Sequence, residues 1–183
     1  MPGDPTLEPR DGVGVPDTLL RLWTPHRMAY ITGGANAGGE RPAPTCPFCR
    51  IPSLSDEDGL VIARGEHVYA VLNLFPYNPG HLMVVPYRHV PDYTDLDADS
   101  AEFAEFNRFT RHALEVLRAV SAPHGFNLGI NAGVAGGAGI AAHLHQHVVP
   151  RWGGDANFMP VVGHTKVLPE LLGTTRELLA AAW

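Results

Sequence analysis

Cysteine is nearly absent from this sequence. The two that occur sit as Cys46-Pro-Phe-Cys49. In a reducing compartment such a pair points to metal binding or redox chemistry rather than to a structural disulfide. Long apolar runs are also missing. None approaches the length of a membrane span, so no membrane partner is expected. Positive charge is in deficit: 13 Lys and Arg stand against 19 Asp and Glu, a net charge of −6. That balance argues against general nucleic-acid binding through a basic surface. The first ten residues lack a basic segment followed by an apolar one, the pattern of a signal peptide, so the expected location is the cytoplasm. There is no internal repeat.

What remains is an ordinary globular composition, 45% hydrophobic and 17% charged. A chain of 183 residues is long enough for one domain with a full core. Residues 1–16 are rich in Pro, Gly and acid and read as a disordered tail, leaving 17–183 as a single domain. Asp17 and Thr18 can cap a short helix before Pro25. Residues 32–45 are a Gly/Pro-rich loop leading into Cys46. Strands are expected at 60–63, 68–72 and 81–86, the second and third as antiparallel neighbours across the turn formers of 73–80. Phe103, Phe106, Phe109, Ala113, Leu114, Leu117 and Val120 recur at three and four, which predicts a helix over 97–121. Strands at 126–130 and from His143 onward follow, then a C-terminal helix within 166–183. The order is α+β: an antiparallel sheet of about five strands, one long helix and a C-terminal helix.

The chemistry concentrates in His143-Leu-His145-Gln-His147-Val-Val-Pro150. Alternation has the period of a strand, so the three imidazoles share one face. Same-face positions are spaced about 6.6 Å apart, and three of them span about 13 Å. One metal cannot easily take all three, so a division of labour is expected. Upstream lies Gly129-Ile-Asn131-Ala-Gly133-Val-Ala-Gly136-Gly137-Ala-Gly139. Backbone amides in such a loop can cradle phosphoryl oxygens. A neutral imidazole beside them is a competent nucleophile toward phosphorus.

These residues resemble the signature of the histidine-triad family, His-φ-His-φ-His-φ-φ, with Gln146 at a position usually apolar. Pro79-Gly80-His81-Leu-Met-Val-Val-Pro86-Tyr-Arg-His89 supports the likeness. Leu19 to Tyr30 and Arg151-Trp-Gly-Gly-Asp-Ala-Asn-Phe158 are similar to its actinobacterial diadenosine tetraphosphate phosphorylase-like branch. The resemblance implies cleavage of diadenosine tetraphosphate or a related nucleoside polyphosphate through a covalent histidine-AMP, released by inorganic phosphate or by water. His145 would be the nucleophile and His147 would serve the leaving-group oxygen. Asn131, Gly137 and Gly139 would hold phosphates, Asn73 the ribose, and Leu72 and Leu74 would border the base. Where the family often has Ser, Thr or Gln in the loop, this chain has Ala138-Gly139. The resemblance also implies a structural zinc held by Cys46, Cys49, His89 and His143, and a homodimer or higher homo-oligomer. Two other readings stay open: a nucleoside phosphoramidase splitting a P–N bond, and a nucleotide-binding protein without turnover. His26, His67, His81, His112, His124 and His164 have no assigned role and are expected to be exposed or structural.

Overall fold

Five strands form one sheet in the order β1-β2-β3-β5-β4, with every neighbouring pair antiparallel. The computed structural model describes residues 46–155 and 170–183. The expected tail of 1–16, the short helix before Pro25, the 32–45 loop, His26 and His164 lie outside the described residues. Those described fall within the unit Asn36–Trp183. A single helical turn, α1 (Pro47–Arg50), starts directly after Cys46. Then come β1 (Val61–Arg64), β2 (Val68–Leu72) and β3 (Leu82–Pro86). The long helix α2 (Ala101–Ser121) precedes β4 (Gly125–Ile130), β5 (Gln146–Arg151) and α3 (Leu172–Ala181). No helix among the described residues is long and apolar enough to cross a membrane.

Every residue of β2 and β3 is buried, because the sheet is covered on both faces. Val68, Ala70, Leu72, Leu82, Val84, Leu144 and Val148 pack with Phe106, Ala113, Leu117 and Leu179 on the helix side. Tyr69, Val71, Met83 and Val85 pack with Cys46, Phe48 and Val61 on the other. Alternation along each strand therefore splits the apolar residues between two cores.

The long helix begins four residues later than the sequence pattern suggests. Ser100 is its cap, accepting from the Phe103 amide at 3.1 Å, which satisfies an otherwise orphaned donor. It ends where Ala122 turns left-handed, just before Pro123. Glu105, which the pattern leaves off the apolar face, is buried. Its carboxylate accepts from the amides of Glu66, His67 and Val68 at 3.1, 2.5 and 3.2 Å. It thereby clasps the β1–β2 turn to α2. Gly65 is required there, since a Cβ would lie 2.7 Å from the Glu105 Oε1.

The histidine segment differs from expectation in register. The β5 ladder begins at Gln146, not at His143. Pro86, the last residue of β3, has no N–H to extend the pairing with β5. The Leu144 amide instead donates to the Val90 carbonyl at 2.6 Å. Only His147 of the three lies in regular strand.

Burial alone would raise the Glu105 pKa, but the three amides outweigh it and hold the group below the usual glutamate value. Its stabilisation is therefore present above the ordinary glutamate pKa and is lost as pH falls through the depressed folded value. Glu105→Gln is expected to lower the unfolding free energy at neutral pH by about 1–3 kcal/mol. Denaturant midpoints check this, and the gap from wild type should narrow in acid. Equal midpoints at neutral pH would contradict it.

Candidate active site and metal centre

Leu144 and Val148 belong to the helix-side core, so His143, His145 and His147 face away from the helices. Gln146 pairs in register with Val84 and Ile130, both packed on the helix side. Its departure from the apolar pattern thus leaves the histidine face untouched.

His143 turns toward the N-terminal segment. Donor atoms of Cys46, Cys49, His89 and His143 all lie within 4.8 Å of one another. His143 Nδ1 is 3.4 Å from Cys46 Sγ, 3.5 Å from Cys49 Sγ and 3.2 Å from His89 Nδ1. Cys49 Sγ is 3.2 Å from His89 Nδ1. A tetrahedral ion bound by sulfur and nitrogen sets its ligands roughly 3.3–3.8 Å apart, and these spacings lie near that range. The ring of His143 is oriented from behind: its Nε2 donates to the Pro86 carbonyl at 2.9 Å. That bond leaves Nδ1 with its lone pair toward the cluster. Two thiols and two imidazoles form a closed, four-donor set suited to a structural zinc ion.

His145 and His147 line a cavity of about 510 Å³. Asn73, Leu72, Leu74, Asn131, Gly137 and Gly139 line it too. The residues that the sequence singled out for a nucleotide are therefore brought together in one place. Leu72 is 2% exposed and also part of the helix-side core. Leu74 and Phe75 are exposed at the margin. The Asn73 Oδ1 is taken by the Phe75 amide at 2.9 Å, which leaves its NH₂ for a ligand. Asn131 Nδ2 donates to the Gly137 carbonyl at 3.3 Å. Gly137 has φ +86°, a left-handed turn that a side chain would strain.

Hydrogen bonds assign the protons. His145 Nδ1 donates to the His143 carbonyl at 2.8 Å, which leaves Nε2 bare. Burial lowers its pKa, against the raising effect of that carbonyl. The sequence left His81 without a role, as exposed or structural. It is fully buried and it touches the site. The Tyr77 amide donates to His81 Nδ1 at 3.0 Å. Burial, then His147 and His145, push the pKa of His81 down to about 3. A neutral ring accepting at Nδ1 must carry its proton on Nε2. That Nε2 lies 2.9 Å from His147 Nδ1 and donates to it. Burial lowers His147 to about 4, so it too is neutral and its own proton sits on Nε2. The site thus holds one imidazole with a bare Nε2 and one with an Nε2–H, their ring centroids 5.0 Å apart. The first can attack and the second can donate.

Sequence reasoning missed His81 although a signal was present. His81, Met83 and Val85 alternate, and Met83 pairs with His147. Only the register reveals that they share a face. Phe48 was missed as well. Its ring lies 4.9 Å from that of His145 and 5.5 Å from that of His143. The Tyr69 hydroxyl donates to its carbonyl at 2.7 Å. Of the other histidines, His112 pairs with Glu115 at 3.3 Å and His124 accepts from the Gly153 amide at 2.9 Å.

Residues 55–154 match the model of the HIT domain. The chain belongs to the HIT family. It is 56% identical over 177 residues to a protein of Mycobacterium tuberculosis named AP-4-A phosphorylase, covering 94% of this chain and 88% of that one. It is 35% identical over 91 residues to the asymmetrical bis(5'-nucleosyl)-tetraphosphatase of Schizosaccharomyces pombe, covering 50% of this chain and 48% of that protein. Among solved structures, it is similar to a Zn-bound histidine triad family protein from Mycobacterium smegmatis. That match has a TM-score of 0.59 and 25% identity, over 77% of this chain and 94% of the other. The likeness to that solved structure extends over the α+β architecture described above.

Proposed function

We propose that this protein is an enzyme that cleaves diadenosine tetraphosphate or a related nucleoside polyphosphate through a covalent histidine-AMP intermediate. The observation that carries the reading is that His145 and His147 line one nucleotide-sized cavity with hydrogen-bond partners that give them opposite tautomers. The mycobacterial relative's name supports this substrate class. In the first step the His145 Nε2–P bond forms as the anhydride P–O bond breaks, and the electron pair leaves with the oxygen. The Nε2–H of His147 hydrogen-bonds that oxygen. A departing nucleoside polyphosphate is stable as an anion, so a hydrogen bond suffices without full proton transfer. His145 keeps its Nδ1–H on the His143 carbonyl, and the positive charge it gains makes it a good leaving group for the second step. Asn131 and the amides near Gly137 and Gly139 hold the phosphate oxygens. Asn73 binds ribose, and Leu72 and Leu74 border the base. His81 acts through His147 as a positioning residue. Phosphate as the acceptor makes the reaction a phosphorolysis; water makes it a hydrolysis.

Cys46, Cys49, His89 and His143 hold a zinc ion in this reading. When bound, it supplies a structural tether and no open coordination position. The donor spacings and the oriented His143 ring support it, as does the zinc of the M. smegmatis neighbour. The protein acts in the cytoplasm as a homodimer. The exposed outer edge of β4, with Leu128 48% exposed, supports pairing there.

With diadenosine tetraphosphate and orthophosphate, wild type should give ADP and ATP; without phosphate, AMP and ATP. His145→Ala should lower turnover by about a thousandfold or more, as removing a covalent nucleophile does. Unchanged turnover in that variant would overturn the assignment. Purified without chelator, wild type should carry one zinc per chain and Cys46→Ser markedly less, by elemental analysis. Metal-free wild type would remove zinc from the account.

A further inference from the structure

A second cavity, of about 310 Å³, lies on the other side of His147. Tyr77, Asn131 and His147 line both cavities. The new one continues along the sheet to Asn127, Gly129 and Arg151. Gly129 pairs with His147 and Asn127 with Val149, so these residues share the histidine face. Gly129 has nothing within 4 Å of where its Cβ would sit; its missing side chain is what opens the floor beside His147. Among the lining residues only Arg151 is charged. Its Nε and Nη2 donate to the two Asp155 oxygens at 2.6 and 2.9 Å, and its Nη1 to Asn127 Oδ1 at 2.7 Å. Asp155 is itself fixed by the Asn78 side chain and the Trp152 amide. A guanidinium has five N–H groups, so this clasp holds the fork in place and leaves Nη hydrogens for a further oxyanion.

We propose that this second cavity binds the phosphates on the leaving side of the substrate, and afterwards the orthophosphate that replaces them, with Arg151 as their ligand. The inference rests on the proposed activity and extends it. If the first cavity takes a nucleoside and the attacked phosphorus, a dinucleoside tetraphosphate still has three phosphates and a nucleoside to place. His145 attacks in line, so the leaving oxygen departs on the opposite side, toward His147 and the second cavity. The bond to His145 is then broken by an acceptor that must approach along the same line. One site therefore serves the leaving group and the incoming phosphate in turn. It also favours substrates with long phosphate tails over those with short ones.

Two substrates with the same AMP half test this: diadenosine tetraphosphate, and the p-nitrophenyl ester of AMP, whose leaving group has no phosphate. Arg151→Gln should reduce kcat/KM for the tetraphosphate about tenfold to a hundredfold more than for the ester, the scale of a lost charge-assisted hydrogen bond. Gly129→Val, which fills the cavity without touching the Arg151–Asp155 clasp, should shift the ratio the same way. On the ester, the KM for orthophosphate should rise in both variants. A shift in the ratio alone assigns the cavity to the leaving phosphates, and a shift in the phosphate KM alone assigns it to the acceptor. Equal losses on both substrates with an unmoved phosphate KM would make Arg151 merely structural and overturn the inference. Wild type that cleaves neither substrate would instead overturn the proposed activity, and the inference with it.

Discussion

One hydrogen bond, from His81 to His147, governs the site. The fully buried His81 and the half-buried His147 cannot be charged cheaply, and a neutral ring must donate from one nitrogen and accept at the other. The Tyr77 amide fixes which nitrogen of His81 accepts. That choice passes through the 2.9 Å contact to His147 and points the proton of His147 into the cavity. The His143 carbonyl does the reverse for His145. Two chemically identical side chains, two residues apart, are thereby given opposite tautomers, one by a backbone carbonyl and the other by a backbone amide acting through His81. Sheet register supplies the geometry: Met83 opposite His147 brings His81 onto the same face, and both rings lie against that of Tyr77.

The same segment joins the metal centre to the cavity. His143 gives its side chain to the Cys46–Cys49–His89 cluster and its carbonyl to His145. Phe48, between the two cysteines, packs against both rings, and Tyr69 holds its backbone from the sheet. A metal ion held there would fix the wall of the cavity beside His145 as well as Cys46 and Cys49. This accounts physically for three alternating histidines that do not act as a unit.

The sheet was legible because β2 and β3 are continuous apolar runs bounded by turn formers, and α2 because its phenylalanines and leucines repeat at helical spacing. The lining of the 510 Å³ cavity was legible as well: Asn73, Asn131, Gly137 and Gly139 meet there with His145 and His147. Three features were not. Glu105 looked like a surface acid, because nothing local announces that three amides of a distant turn converge on it. The start of β5 was misplaced, because an alternating pattern does not show that Pro86 ends the ladder. His81 meets His147, and Arg151 meets Asn127, only across neighbouring strands, and strand order and register are not written in any one segment.

Nitrogen-15 NMR of the imidazole side chains at neutral pH reads the two tautomers. Both rings should be neutral, with His145 protonated at Nδ1 and His147 at Nε2, and His81→Phe should disturb only the latter. The same tautomer on both rings, or a charged ring at either position, would contradict that assignment.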